Sequence, residues 1–94
     1  MDAIADTSEP QLRTTVQGDE AVVRFVGDWW LPGAQAAEDA VNELEIAERR
    51  VTHVVLDLSA VGHLDTSGAW LVHRLRGALE YHGRRVTFAE MPER

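Results

Sequence analysis

The stretch that decides the fold is Val54-Val55-Leu56-Asp57-Leu58-Ser59, followed shortly by Leu64-Asp65-Thr66-Ser67-Gly68. The first part is a nearly continuous apolar run, which predicts a strand over residues 51–58 covered on both faces, as in a parallel or mixed sheet. The second part places a carboxylate and two hydroxyls where a helix begins, with Leu71, Leu75, Ala78 and Leu79 following at helical spacing and Gly83 closing it. Asp65 or Thr66 is the expected cap. At such an N-terminus the backbone N–H groups and the helix dipole favour negative charge. Asp65-Thr66-Ser67-Gly68 therefore reads as a regulated phosphate site or a polar contact with a partner protein. A catalytic site is not expected: His63, Asp65 and Ser67 crowd one loop, whereas a hydrolytic triad draws its base and orienter from separate elements.

Working outward, Leu12, Thr14 and Val16 alternate with polar residues and predict a half-buried strand. Gly18-Asp19-Glu20 reads as a tight turn, and residues 21–26 as a second strand ended by Gly27-Asp28, giving a hairpin. Trp29-Trp30-Leu31-Pro32-Gly33 is a loop by its Pro-Gly breaker. Ala36, Ala37, Ala40, Val41, Leu44 and Ala47 then predict an amphipathic helix of roughly four turns with an acidic outer side. Val86 and Phe88 mark a fourth strand. The fold class is α/β: a mixed sheet opened by an antiparallel hairpin, with helices packed mainly on one face, in the order β-β-α-β-α-β. A right-handed crossover through residues 34–50 makes the second and third strands parallel neighbours. Residues 1–9 read as a flexible leader and residues 10–94 as one domain. Pro92-Glu93 resembles the first turn of a further helix, so the C-terminal part of the fold is expected to be truncated and the domain to be a fragment of a longer protein.

Composition narrows the function. The chain has 94 residues and a net charge of −7, so nucleic acid and anionic lipid are poor direct partners, and a basic patch on another protein is a better one. It has no cysteine, which excludes disulfides and thiolate metal sites. No apolar run is long enough to span a membrane and the N-terminus lacks a basic signal-peptide start. His53, His63, His73 and His82 are too widely spaced to suggest a metal site, and no cofactor is expected. Of the tryptophans, one of the pair Trp29 and Trp30 should be buried and the other available for contact, and Trp70 falls one turn into the second helix beside Thr66. Arg74, Arg76, Arg84 and Arg85 are expected to pair with the acidic helix or stay solvated.

The element order, Gly27-Asp28 after the second strand, Asp57-Leu58-Ser59, and Leu64-Asp65-Thr66-Ser67-Gly68 opening the helix together resemble the STAS family, the fold of bacterial anti-sigma-factor antagonists. The likeness spans residues 11–92. Gly27-Asp28-Trp29 and Asp65-Thr66-Ser67-Gly68-Ala69-Trp70 look most like the STAS domains fused N-terminally to Mla-type ABC transporter permeases. The fuller family pattern continues with a third helix, a strand and a last helix, which this sequence lacks. The resemblance implies a non-catalytic regulatory interaction module, lying in the cytoplasm at the inner face of the inner membrane in the full-length protein. It would dock on the ATPase subunit through Thr66, with Asp65, Ser67, Gly68 and Trp70 adjoining. The alternative it implies is an anti-sigma-factor antagonist that binds a kinase-type anti-sigma factor and is regulated by phosphorylation of Thr66. A ligand sensor built on the Trp29/Trp30 loop is a more remote reading.

Overall fold

The computed structural model describes residues 9–89. The elements are β1 (Gln11–Gln17), β2 (Glu20–Trp29), a 3-10 turn (Leu31–Gly33), α1 (Ala34–Glu43), β3 (His53–Leu64), α2 (Thr66–Tyr81) and β4 (Arg85–Phe88). They form one sheet in the order β1-β2-β3-β4, with β1 antiparallel to β2 and the other neighbours parallel. This is the expected mixed sheet with an N-terminal hairpin. The hairpin turn has Gly18 at φ 62°, a conformation glycine adopts without penalty and that suits the first position of a two-residue hairpin turn.

Both helices pack on the same face. Alternation along β2 sends Ala21, Val23, Phe25 and Trp29 into the core with Val54 and Leu56 of β3 and Val86 of β4. From the helices, Ala37, Val41, Leu71, Val72, Leu75 and Leu79 close over them. Phe25 and Trp29 meet edge to face at 4.9 Å, worth about 1 kcal/mol beyond the area they bury. Trp29 also donates its indole N–H to the Val26 carbonyl at 3.0 Å. Thr14, expected to be half-buried, is exposed although it shares a face with half-buried Leu12 and Val16, because the helical layer stops short of β1.

Three boundaries differ from the sequence expectation. β2 continues through Gly27-Asp28 to Trp29, so Trp29 belongs to a strand and not to a loop. β3 does not end at Leu58 but runs to Leu64, with the pairing against β2 slipping between Arg24 and Val26 and again between Gly27 and Asp28. Each slip gives β3 an extra residue, as at a β-bulge, which lets Ser59 and Gly62 sit in a strand that their identity disfavours. α1 stops at Glu43 after 10 residues, short of the expected four turns. Beyond it the chain is irregular and is held by Arg84, which donates to the carbonyls of Val51 at 2.9 Å and of Ile46 and Glu48 at 3.2 Å. Ala78 of the expected α2 stripe is exposed, and Val72 and Gly68 are buried in its stead.

Among the described residues β3 is also not covered on both faces. Its helix-free face carries half-buried Val55 and the buried Asp57, beside exposed Arg24 and half-buried Val22 and Val26 of β2. Asp57 accepts from the Ser59 main-chain N–H at 2.9 Å and from Arg24 Nε at 3.3 Å. The Ser59 bonds, reinforced by the Arg24 charge, hold its carboxyl below the ordinary aspartate range. Across the two helices Arg74 pairs with Glu38 at 3.5 Å and donates to Asn42, as expected for a cation facing the acidic helix. The expected helix start at Pro92-Glu93 and the leader up to residue 8 lie outside the described residues.

Candidate functional site

The Asp65-Thr66-Ser67-Gly68 turn stands where β3 ends and α2 begins. Asp65, with extended backbone (φ −113°, ψ −170°), is the N-cap. One carboxylate oxygen accepts from the Gly68 N–H at 3.0 Å, and the other accepts from the Leu31 N–H at 2.9 Å. Its own N–H donates to the Trp29 carbonyl at 3.3 Å. Asp65 therefore ties the start of α2 to the chain leaving β2. The Gly68 bond, and after it the Leu31 bond, lowers the pKa of this carboxyl from its ordinary value. The negative charge that a helix N-terminus attracts is thus already present in the Asp65 carboxylate.

Gly68 is buried and holds the other side of the junction. A Cβ on it would stand 1.8 Å from the Trp29 carbonyl oxygen. The sequence brings Asp65, Thr66, Ser67 and Gly68 into one helical turn, but they divide by role. Asp65 and Gly68 are committed to building the turn, whereas Thr66 is exposed and Ser67 half-buried. Trp70, one turn further along α2, is 60% exposed.

Sequence reasoning missed two neighbours. Leu31 and Leu64 are 66% and 48% exposed, and both flank Asp65, one through its N–H bond and the other through the chain. Large apolar side chains left in water beside a rigid cap are the composition of a contact surface. A signal for Leu64 was available: it is a large apolar residue between His63 and the Asp65 cap. Nothing local marked Leu31. His63, which the sequence places in the loop before Thr66, lies instead in β3, where its ring stacks on Trp30 at 4.3 Å and 14° and its Nδ1 meets Asp28 Oδ1 at 2.9 Å. Trp30 is thereby packed against His63 while Trp29 is fully buried, so the pair does not form a shared aromatic wall for a small ligand.

The sequence pattern of the family described as "Mlab, STAS domain" matches residues 12–94. The chain belongs to the STAS family. No curated protein matches the sequence, but solved structures share the fold. The crystal structure of an anti-sigma-factor antagonist STAS domain from Rhodobacter sphaeroides superposes with a TM-score of 0.71 at 18% identity, covering 88% of each chain. The murine anion transporter Slc26a9 matches at 0.68 and 12% identity over 90% of this chain. The crystal structure of Mglu matches at 0.64 and 29% identity over 87% of it. This STAS domain spans only 17% of the Slc26a9 chain and 20% of Mglu. STAS domains are protein-interaction modules that occur both in anti-sigma-factor antagonists and within transporters.

Proposed function

We propose that this STAS domain is a non-catalytic regulatory module of an Mla-type ABC transporter permease. In this reading it docks on the ATPase subunit at the cytoplasmic face of the membrane and tunes assembly or ATP turnover. One observation carries the reading: a hydroxyl and an aromatic side chain, Thr66 and Trp70, stand exposed on a helix turn fixed from below by Asp65 and Gly68. A surface pre-ordered in this way loses little entropy when a partner binds. Leu31 and Leu64 give it the apolar content that an interface core needs. The family description, which carries the name Mlab, supports a transporter context. The acidic chain suits an ATPase surface rich in Arg and Lys.

The test is titration calorimetry of the domain with an Mla-type ATPase subunit, using wild type and Thr66→Glu. Thr66→Glu should weaken binding at least tenfold with an unchanged far-UV circular dichroism spectrum. Equal affinity for the two proteins would remove Thr66 from the docking surface.

The second reading, an anti-sigma-factor antagonist switched by phosphate on Thr66, is favoured by one observation: Thr66 is exposed at the start of α2, where a kinase can reach its hydroxyl. A phosphate would add about −2 charge beside Asp65, whose oxygens already hold the Gly68 and Leu31 N–H groups. Its effect would fall on the partner's surface and leave the fold in place. Incubation with a kinase-type anti-sigma factor and ATP, followed by mass spectrometry of wild type and Thr66→Ala, separates the two readings.

A further inference from the structure

Among the described residues β1 is an edge strand, paired with β2 alone. The two-residue turn closes on the Gln17–Glu20 pair, which fixes the alternation of the ladder. Gln11, Arg13, Thr15 and Gln17 exchange hydrogen bonds with β2, so the N–H and C=O groups of Leu12, Thr14 and Val16 point to the open side. Natural sheets blunt such edges with lysine, proline or a covering element. This chain contains no lysine, β1 contains no proline, and the exposure of Thr14 shows that the helices do not reach over the strand.

A groove runs between this edge and α1. Its floor includes half-buried Leu12, Ala40 and Leu44, and its rim carries Glu9, Asp39, Glu43 and Glu45. No cationic side chain is among the described residues lining it. We infer that the open edge of β1 and the acidic groove beside it take an extended, basic segment of a partner protein as an added strand. The outward main-chain groups supply the ladder. Alternate side chains of the incoming strand face the groove, where apolar residues meet Leu12 and Leu44 and arginine or lysine meets the carboxylate rim. Charge decides against the two nearest competitors. A second copy would bring the Asp39 and Glu43 side chains of two helices together, and the leader, with Asp2 and Asp6 and no Lys or Arg, has the wrong sign. The groove shares no residue with the α2 turn, although its Pro10 end adjoins Gly33, two residues from Leu31.

The probe is a short peptide of Val-Val-Arg-Arg repeats, which puts valine and arginine on the same strand face, with a Val-Val-Glu-Glu peptide as its control, followed by amide NMR on the full chain. The arginine peptide should bind, slow the exchange of the Leu12, Thr14 and Val16 amides at least tenfold, and weaken as salt is raised. Thr14→Pro removes one outward N–H while sparing the β1–β2 ladder, and should cost at least tenfold in affinity. Asp39→Lys combined with Glu43→Lys changes only exposed helix positions and should do the same, which keeps the test valid if the proline variant unfolds. Binding that ignores both variants, equal binding of the glutamate peptide, or perturbation confined to α2 would overturn the inference. So would Leu12, Thr14 and Val16 amides already protected in the free chain, whether by the leader or by a dimer seen in sedimentation.

Discussion

Gly68 lies so close to the main chain of Trp29 that a methyl group on its Cα would stand 1.8 Å from the Trp29 carbonyl oxygen and 2.9 Å from Leu64 Cδ1. The first turn of α2 is therefore pressed directly onto the end of β2. The same carbonyl accepts the Asp65 N–H, so one oxygen sets both the position and the start of the helix. The Asp-Thr-Ser-Gly sequence thus combines two structural constraints, the Asp65 cap and the buried Gly68, with the exposed Thr66 hydroxyl and the half-buried Ser67.

The first prediction contrasts two glycines of one helix. Gly68→Ala must displace backbone and should destabilise the domain by about 3 kcal/mol, the upper range for overpacking. Gly77→Ala meets nothing within 4 Å and should stabilise it by up to about 1 kcal/mol through helix propensity. Urea denaturation of the two variants checks both signs at once.

Acid should weaken the fold through Asp65 and Asp57. Both carboxyls sit below the ordinary value of 3.8 in the folded state, so the unfolded chain binds more protons in acid. Their contribution is fully present above that value and is lost as pH falls through the lower folded-state values. Asn still caps a helix but lacks the charge that strengthens the bonds from Gly68 and Leu31. Asp65→Asn should therefore melt below wild type at pH 7, and the gap should close as pH drops below 3.8. A gap that stayed constant with pH would assign Asp65 a purely steric role.

Much of this arrangement is legible in the residues, and the failures have a common cause. The strand periodicity of Leu12 to Val16, the helical spacing of Leu71, Leu75 and Leu79, and the cap at Asp65 are local signals, and they place the sheet, α2 and the candidate turn correctly. What local reading cannot weigh is compensation from distant residues. Leu44 and Ala47 continue the α1 periodicity, yet the helix ends at Glu43 because residues 46–51 find their carbonyl partner in Arg84. Ser59 and Gly62 look like loop residues, yet pairing with β2 across two register slips keeps them in β3. At the candidate site, the motif is enough to put Thr66 at the start of a helix, whereas the structural use of Asp65 depends on Leu31, which is 34 positions away.

Arg84 supplies the next prediction. Its guanidinium donates to three main-chain carbonyls in the connection between α1 and β3, of which that of Glu48 also accepts from the Val51 N–H at 3.1 Å. Arg84→Ala should cost about 2–3 kcal/mol, the range for hydrogen bonds from a charged donor. Arg84→Lys should recover only part of it, since an ammonium lacks the planar fork that reaches several carbonyls at once. Hydrogen exchange should show the loss concentrated at residues 44–52, because the sheet and α2 do not depend on this side chain.

The three tryptophans should separate stability from docking. Trp29 is fully buried, stacks edge to face on Phe25 and spends its indole N–H on Val26. Trp29→Ala should therefore cost about 3–5 kcal/mol, enough to unfold much of a domain of ordinary stability. Trp70 is largely in water, so Trp70→Ala should change stability by no more than about 0.5 kcal/mol. If Trp70 is part of the docking surface, the same variant should lose at least tenfold in affinity for the ATPase subunit, as removal of an exposed aromatic anchor does. Trp30→Ala lies between these cases, because the indole packs on His63 rather than on the core. It should release the His63 ring, read as a shifted imidazole resonance, with only a modest fall in melting temperature. An affinity loss at Trp30 with none at Trp70 would move the docking surface from the α2 turn to the His63–Asp28 corner beside it.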